Sequence, residues 1–202
     1  MILYLHGFRS SPDSFKARLM RDVMQQRGML SMWRCPALSV SPAQAFTQAI
    51  EEAEQLCAQH QASPTDLTVI GSSLGGFYAT CLAERLGCRA VLINPAVHAP
   101  RDLATQVGHH QNYHNGEPME FLTSYVDELA AMAVNQITRP ERYFLIAATG
   151  DELLDWTEMR DFFKGSRQTI VQGSDHGLSD FAQYIPEVLA FAYPHLASNR
   201  VN

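Results

Sequence analysis

A serine between glycines, in the run Gly71-Ser72-Ser73-Leu74-Gly75, joins two stretches of different character. Residues 67–70 are a short apolar run of strand type, and the Ala/Leu-rich stretch after the pentapeptide is helical in character as far as Gly87. A strand that turns sharply into a helix can hold a serine hydroxyl at the tip of the turn. Glycines at 71 and 75 remove the Cβ atoms that would collide in so tight a turn. The helix then points its free N–H groups at negative charge forming beside Ser73. The chemistry is nucleophilic attack by a serine. The pentapeptide alone also fits an ordinary glycine-rich strand–helix turn, so partners elsewhere in the chain decide between the readings.

A serine hydroxyl is a poor nucleophile at neutral pH and needs a base. Gly173-Ser174-Asp175-His176-Gly177 offers His176, just past a strand and beside a glycine. The base in turn needs a carboxylate that fixes its tautomer and stabilises the imidazolium. Thr149-Gly150-Asp151-Glu152-Leu153-Leu154-Asp155 offers Asp151 directly after a strand. Asp155 is an alternative, and it also reads as the N-cap of a helix over 156–164. Asp175 adjoins His176, but side chains of sequence neighbours usually diverge. His6 is a rival base. Its place in His6-Gly7-Phe8, at the end of the first strand, better suits a loop that donates backbone N–H groups to an oxyanion. There His6 would hold the loop by a hydrogen bond. The two expected donors are the N–H of Phe8 and the N–H of Leu74, the residue after the nucleophile.

These loops need strands to carry them. Residues 1–5, 30–34, 67–71, 89–93, 142–149 and 168–172 read as strands. The intervening stretches read as helices: one capped by Ser11-Pro12 and running to Gly28 with Phe15, Leu19 and Val23 inward, and one from a capping box at Ser41-Pro42-Ala43-Gln44 to His60. The second buries Phe46, Ala49, Ile50, Ala53, Leu56 and Cys57. Further helices are expected at 73–86, 122–135 and 156–164, and from Leu178 onward with a break at Pro186. Residues 95–121 show no period and read as an excursion or small cap. Alternating strands and helices imply an α/β fold with a mostly parallel sheet in one domain over 1–202. In such sheets ligands bind beyond the carboxyl ends of the strands, where the loops carrying Phe8, Ser73, Asp151 and His176 fall.

The chain has 202 residues, 46% hydrophobic and 18% charged, with a formal net charge of −6. That composition suits a water-soluble globular protein, and the absence of a long basic run argues against nucleic acid as partner. The opening residues are too short and uncharged a run for a signal peptide, and no uncharged stretch reaches the roughly 18–20 apolar residues of a membrane helix. We therefore expect a cytoplasmic protein with no membrane partner. Cys35, Cys57, Cys81 and Cys88 fit no C-x-x-C spacing and read as reduced core thiols. His109, His110 and His114 raise the question of a metal, but no neighbouring Cys or Asp completes a ligand set, and neither metal nor cofactor is expected. Arg9, Phe77, Met119 and Trp156 are candidates for a substrate pocket, with core or cap packing as the other reading for the three hydrophobic ones.

With these pieces assembled, the chain resembles compact α/β-hydrolases, in particular the bacterial YqiA/YcfP-like esterases. The matching residues are Tyr4-Leu5-His6-Gly7-Phe8 with Ser10-Ser11-Pro12, Gly71 to Ala79, Asn94-Pro95-Ala96-Val97, Asn112-Tyr113 with Gly116-Glu117, Gly150 to Asp155, and Asp175-His176. They span nearly the whole chain in family order, and Ser73, Asp151 and His176 follow the family's order of nucleophile, acid and base. The resemblance implies a minimal six-stranded sheet in the order 2-1-3-4-5-6, with helices on both faces. It also implies hydrolysis of carboxylic esters through an acyl-enzyme. Arg9 departs from the family, where a small polar residue is expected, and so does Trp156, where Tyr is more usual. With only residues 95–121 as a cap, esters of small or short-chain acyl groups are expected. An acyl-CoA thioester is the alternative, favoured by Arg9 near the mouth. A non-catalytic ligand-binding protein of the same fold is the alternative of another class.

Overall fold

Six strands form one parallel sheet in the described part of the chain, residues 1–194 of a computed structural model. They are β1 (Ile2–Leu5), β2 (Trp33–Arg34), β3 (Thr68–Ser72), β4 (Arg89–Ile93), β7 (Tyr143–Ala148) and β8 (Arg167–Val171). Two more, β5 (Gly108–Gln111) and β6 (Pro118–Phe121), pair antiparallel as a separate hairpin. The sheet order is β2-β1-β3-β4-β7-β8, which is the expected 2-1-3-4-5-6 once the hairpin is set aside.

The inner strands β1, β3, β4 and β7 are apolar on both faces because helices cover both. Leu3 and Leu5 of β1, Ala90 and Leu92 of β4, and Tyr143, Leu145 and Ala147 of β7 pack on one face. Over them lie α2 (Pro42–Gln59), α3 (Leu74–Leu86), α5 (Thr123–Met132) and α6 (Trp156–Phe162). The alternate residues Ile2, Tyr4, Val91, Ile93, Phe144 and Ile146 face α1 (Phe15–Gln26) and α7 (Ile185–Ala192). This period of two, read across the inner strands, fixes the register.

Several boundaries differ from expectation. Ser11 Oγ accepts the N–H of Asp13 in a turn instead of capping a helix, and α1 begins only at Phe15. Its buried residues are Ala17, Met20 and Met24, one position round from the expected Phe15, Leu19 and Val23, and Phe15 is exposed. In α2, Ser41 accepts the N–H of Gln44 as expected, but the Gln44 side chain accepts from Ser39 Oγ, so the box is half closed. The second strand shortens to Trp33–Arg34 after a 3₁₀ turn at Leu30–Met32. Residues 95–121, expected as an excursion or small cap, contain α4 (Ala99–Ala104) and the hairpin. Pro186 marks the change from a 3₁₀ turn over Phe181–Tyr184 to α7, which begins at Ile185. It lies in the first turn of α7, where no N–H is required. The remainder of the expected tail helix lies outside the described residues. Among the described residues no helix is long and apolar enough to cross a membrane.

Candidate active site

The register of β1 against β3 places Leu5 opposite Gly71, so the His6–Phe8 loop leaves the sheet beside the Ser72–Ser73 turn. That turn is as tight as its glycines suggest. A Cβ on Gly71 would stand 2.2 Å from the carbonyl oxygen of Gly75, and one on Gly75 would stand 2.0 Å from the carbonyl oxygen of Leu5. Ser73 takes φ 55° and ψ −123°, a strained conformation for a residue with a Cβ. The surroundings hold it there. Its N–H donates to Ile93 O at 3.0 Å, and its carbonyl accepts from Gly76 N–H at 2.8 Å and Ala96 N–H at 3.1 Å. Its side chain caps nothing and is left free to react.

Ser73 Oγ lies 3.0 Å from His176 Nε2, and His176 Nδ1 lies 2.8 Å from Asp151 Oδ2. An ionised carboxylate only accepts, so Nδ1 carries the proton and Nε2 is left as an acceptor facing the serine hydroxyl. The Asp151 side chain is fully buried. Its other oxygen accepts the N–H groups of Leu153 and Leu154, both at 2.9 Å. The two alternative acids are engaged elsewhere. Asp155 caps α6 by accepting from Thr157 N–H and Oγ1–H, which hold its carboxyl below the ordinary range. Asp175 accepts the N–H of Ser179.

Asn94, fully buried with φ 42°, was not singled out for any role in the sequence beyond its place in a matching stretch. Its Nδ2–H donates to the carbonyls of Asp175 and His176, at 3.1 and 2.9 Å, and its Oδ1 accepts Ala148 N–H at 2.8 Å. It therefore ties the loop of the histidine to the end of β7, the strand that delivers Asp151. The signal was a lone Asn directly after β4, where an Asn tolerates positive φ.

Neither Phe8 N–H nor Leu74 N–H donates to any atom of the described residues. Leu74 opens α3, so its N–H belongs to the positive end of a 13-residue helix. His6 holds the neighbouring loop: its Nδ1–H donates to Gly7 O at 3.0 Å and its Nε2 accepts Leu38 N–H at 3.1 Å. The bond accepted by Nε2 needs the neutral ring, and burial pushes the His6 pKa down accordingly. A ring already engaged at both nitrogens leaves no acceptor for a serine proton.

A cavity of about 780 Å³ opens over Ser73 and His176. The four residues expected to form a pocket do not line it. Arg9 stacks its guanidinium 4.2 Å from the ring of Tyr113 and donates to Gln111 O, so it fastens the hairpin. Phe77 is buried within α3, Met119 is half-buried in β6, and Trp156 packs under Arg160. The walls come instead from Phe8, Phe15, Leu103, Tyr113 and Leu153, with Lys16 among the polar groups. Periodicity in one element cannot reveal a wall assembled from several loops. Among the described residues no three His, Cys, Asp or Glu side chains converge as metal ligands. His109 and His110 point to opposite faces of β5, and His110 Nε2–H donates to Gln106 O. Burial pushes the thiols of Cys35, Cys81 and Cys88 up to about 12, which keeps them unreactive.

A family model described as Uncharacterised protein family (UPF0227) matches residues 1–193. Among solved structures, Est1E from Butyrivibrio proteoclasticus with bound ferulic acid superposes with a TM-score of 0.67 at 13% identity, over 97% of this chain and 88% of that one. An S-formylglutathione hydrolase from Agrobacterium tumefaciens gives 0.64 at 14%, over 95% and 82%. Mouse alpha/beta hydrolase domain-containing protein 10 gives 0.63 at 14%, over 93% and 88%. At such identities the likeness is one of fold, and the fold is that of the α/β-hydrolases.

Proposed function

We propose that this chain, which belongs to the uncharacterised protein family UPF0227, is a serine hydrolase acting on carboxylic esters. The observation that carries the reading is the continuous relay from Ser73 Oγ through His176 to Asp151, with bonds of 3.0 and 2.8 Å. A serine strained to φ 55°, at a turn with no room for a Cβ at Gly71 or Gly75, would be a costly way to build an ordinary turn.

In the reaction, His176 Nε2 takes the hydroxyl proton as Ser73 Oγ attacks the acyl carbon. Asp151 stabilises the imidazolium without itself taking a proton. The oxyanion of the tetrahedral intermediate accepts the free N–H groups of Phe8 and Leu74, a pair of donors whose individual loss costs about 10²–10³ in kcat in comparable sites. His176 Nε2–H then protonates the departing alkoxide. Water, deprotonated by the same nitrogen, attacks the acyl-serine, and the acid leaves with Ser73 restored.

A cavity of about 780 Å³ lies in the range that takes drug-sized ligands, and a short acyl chain would leave most of it empty. The exposed apolar side chains Phe15, Tyr113 and Leu153 on its walls favour an ester with a bulkier apolar part. This widens the class expected from the short cap. A series of 4-nitrophenyl esters from acetate to dodecanoate tests both points. Hydrolysis should be measurable, should not peak at acetate, and should fall on the order of 10⁶-fold in kcat in Ser73→Ala. Undiminished turnover in that variant would remove the serine mechanism.

A further inference from the structure

Two cationic side chains with long stems line the cavity, and their surroundings differ. Arg101 is fully engaged: its guanidinium forks onto Glu158 at 2.8 and 2.7 Å and its Nε–H donates to Asp102 at 2.8 Å. Lys16, half-buried in the first turn of α1, donates from Nζ to the carbonyl of Gly177. Among the described residues it has no carboxylate within ion-pair distance. The acids whose fields reach it are committed elsewhere: Asp151 to His176 and the 153–154 backbone, Asp175 to Ser179. A half-buried cation held by one carbonyl retains two N–H donors and an unbalanced charge. Burial lowers its pKa to about 8, so it is still mostly protonated at neutral pH.

Gly177 follows His176 directly, so Nζ is anchored one residue from the base and opens into the space above Ser73. We propose that Lys16 is the counter-ion for a free carboxylate carried by the ester itself, making the substrate class half-esters or other carboxylate-bearing esters. The inference rests on the serine-hydrolase reading and names its substrate. One compact ammonium balances one carboxylate. A phosphate dianion calls for a guanidinium fork or several donors, and among the described residues the one fork on this wall, Arg101, is already spent on Glu158. The apolar rim takes the body of the substrate while Lys16 takes its charge. Lys16 is thus a specificity residue, not a participant in proton transfer. Nothing in the sequence distinguishes it from a solvated helix lysine.

Two matched pairs of esters test this in the full chain. One pair places the charge on the acyl side: 4-nitrophenyl hemisuccinate against 4-nitrophenyl butyrate. The other places it on the leaving group: 4-carboxyphenyl acetate against its methyl ester. In at least one pair the wild type should prefer the carboxylate-bearing member in kcat/KM by tenfold or more, mainly through KM. Lys16→Met, which keeps the apolar stem, should lower that preference by at least tenfold. Lys16→Arg should retain most of it. A wild type with no preference for the charged member in either pair overturns the proposal, and this result does not depend on any variant folding. An equal loss on both members in Lys16→Met assigns the lysine a purely structural role and overturns it too. No turnover of any of the four esters would instead bring down the hydrolase reading itself.

Discussion

The turn that carries Ser73 and the hairpin that roofs it are built on opposite principles. At the turn, backbone crowds backbone: the two glycines leave no room for a Cβ, and every residue of α3 from Leu74 to Ala83 is buried. The hairpin alternates half-buried and exposed positions along β5 and is tied by hydrogen bonds to a loop about a hundred residues away. Arg9 Nε–H donates to Gln111 O at 2.9 Å, Asn112 Nδ2–H to Ser10 O at 3.1 Å, and Tyr113 N–H to Arg9 O at 2.8 Å. The same loop presents the N–H of Phe8 on its other side. Ser73 is thus placed by local sterics, whereas the roof is seated by the buried Phe121 against Phe8 and by a few polar contacts to one distant loop. A fold arranged this way can change its substrate without disturbing its serine.

That contrast breaks most sharply at the acid. Asp151→Asn should lower kcat about 10⁴-fold by disfavouring the required tautomer of His176, while Asp155→Asn should leave kcat within a few fold and affect only a helix cap. Steady-state kinetics on one 4-nitrophenyl ester separate them, and the reverse pattern would transfer the role to Asp155. Next in size is a stability comparison. Gly75→Ala forces a Cβ against the Leu5 carbonyl and should cost at least about 3 kcal/mol, whereas Arg9→Ala should cost within about 1 kcal/mol and alter KM. Urea denaturation reads the first and ester kinetics the second. Similar losses in both would erase the distinction between turn and roof.

The smallest effect concerns pH. His6 binds its proton less readily when folded, so the unfolded chain takes up more protons in the window below the ordinary histidine value. Its contribution to stability is complete above about pH 6.5 and is lost as pH falls toward the lowered folded value. The stability gap between wild type and His6→Asn should therefore be widest at neutral pH and narrow on acidification. A gap that widens with acid would mean that the ring is charged in the folded protein.

How much could be read from the chain follows the same division. Strand 89–93 and the glycine-framed serine were legible because each depends on residues a few positions away. Asp151 and His176 were legible as candidates because each lies in the loop that follows a strand, and the sheet order followed from family resemblance. The buried face of α1 was misjudged because Met20 and Met24 pack beneath the sheet while Phe15 is drawn outward to the cavity. The hairpin escaped because β5 is polar and β6 is too short to show a period, and its seat depends on the distant Phe8–Arg9 loop, which meets Gln111 and the buried Phe121. Asn94 and Lys16 owe their roles to partners more than 50 residues distant, which no local pattern encodes.

The central claim is that Ser73 is a nucleophile activated by His176. It is tested most directly by treating the folded protein with a fluorophosphonate and mapping the adduct by mass spectrometry. One adduct per chain is expected, on Ser73, absent in Ser73→Ala and strongly slowed in His176→Ala. A folded wild type that stays unlabelled, or an adduct on another residue, would contradict it.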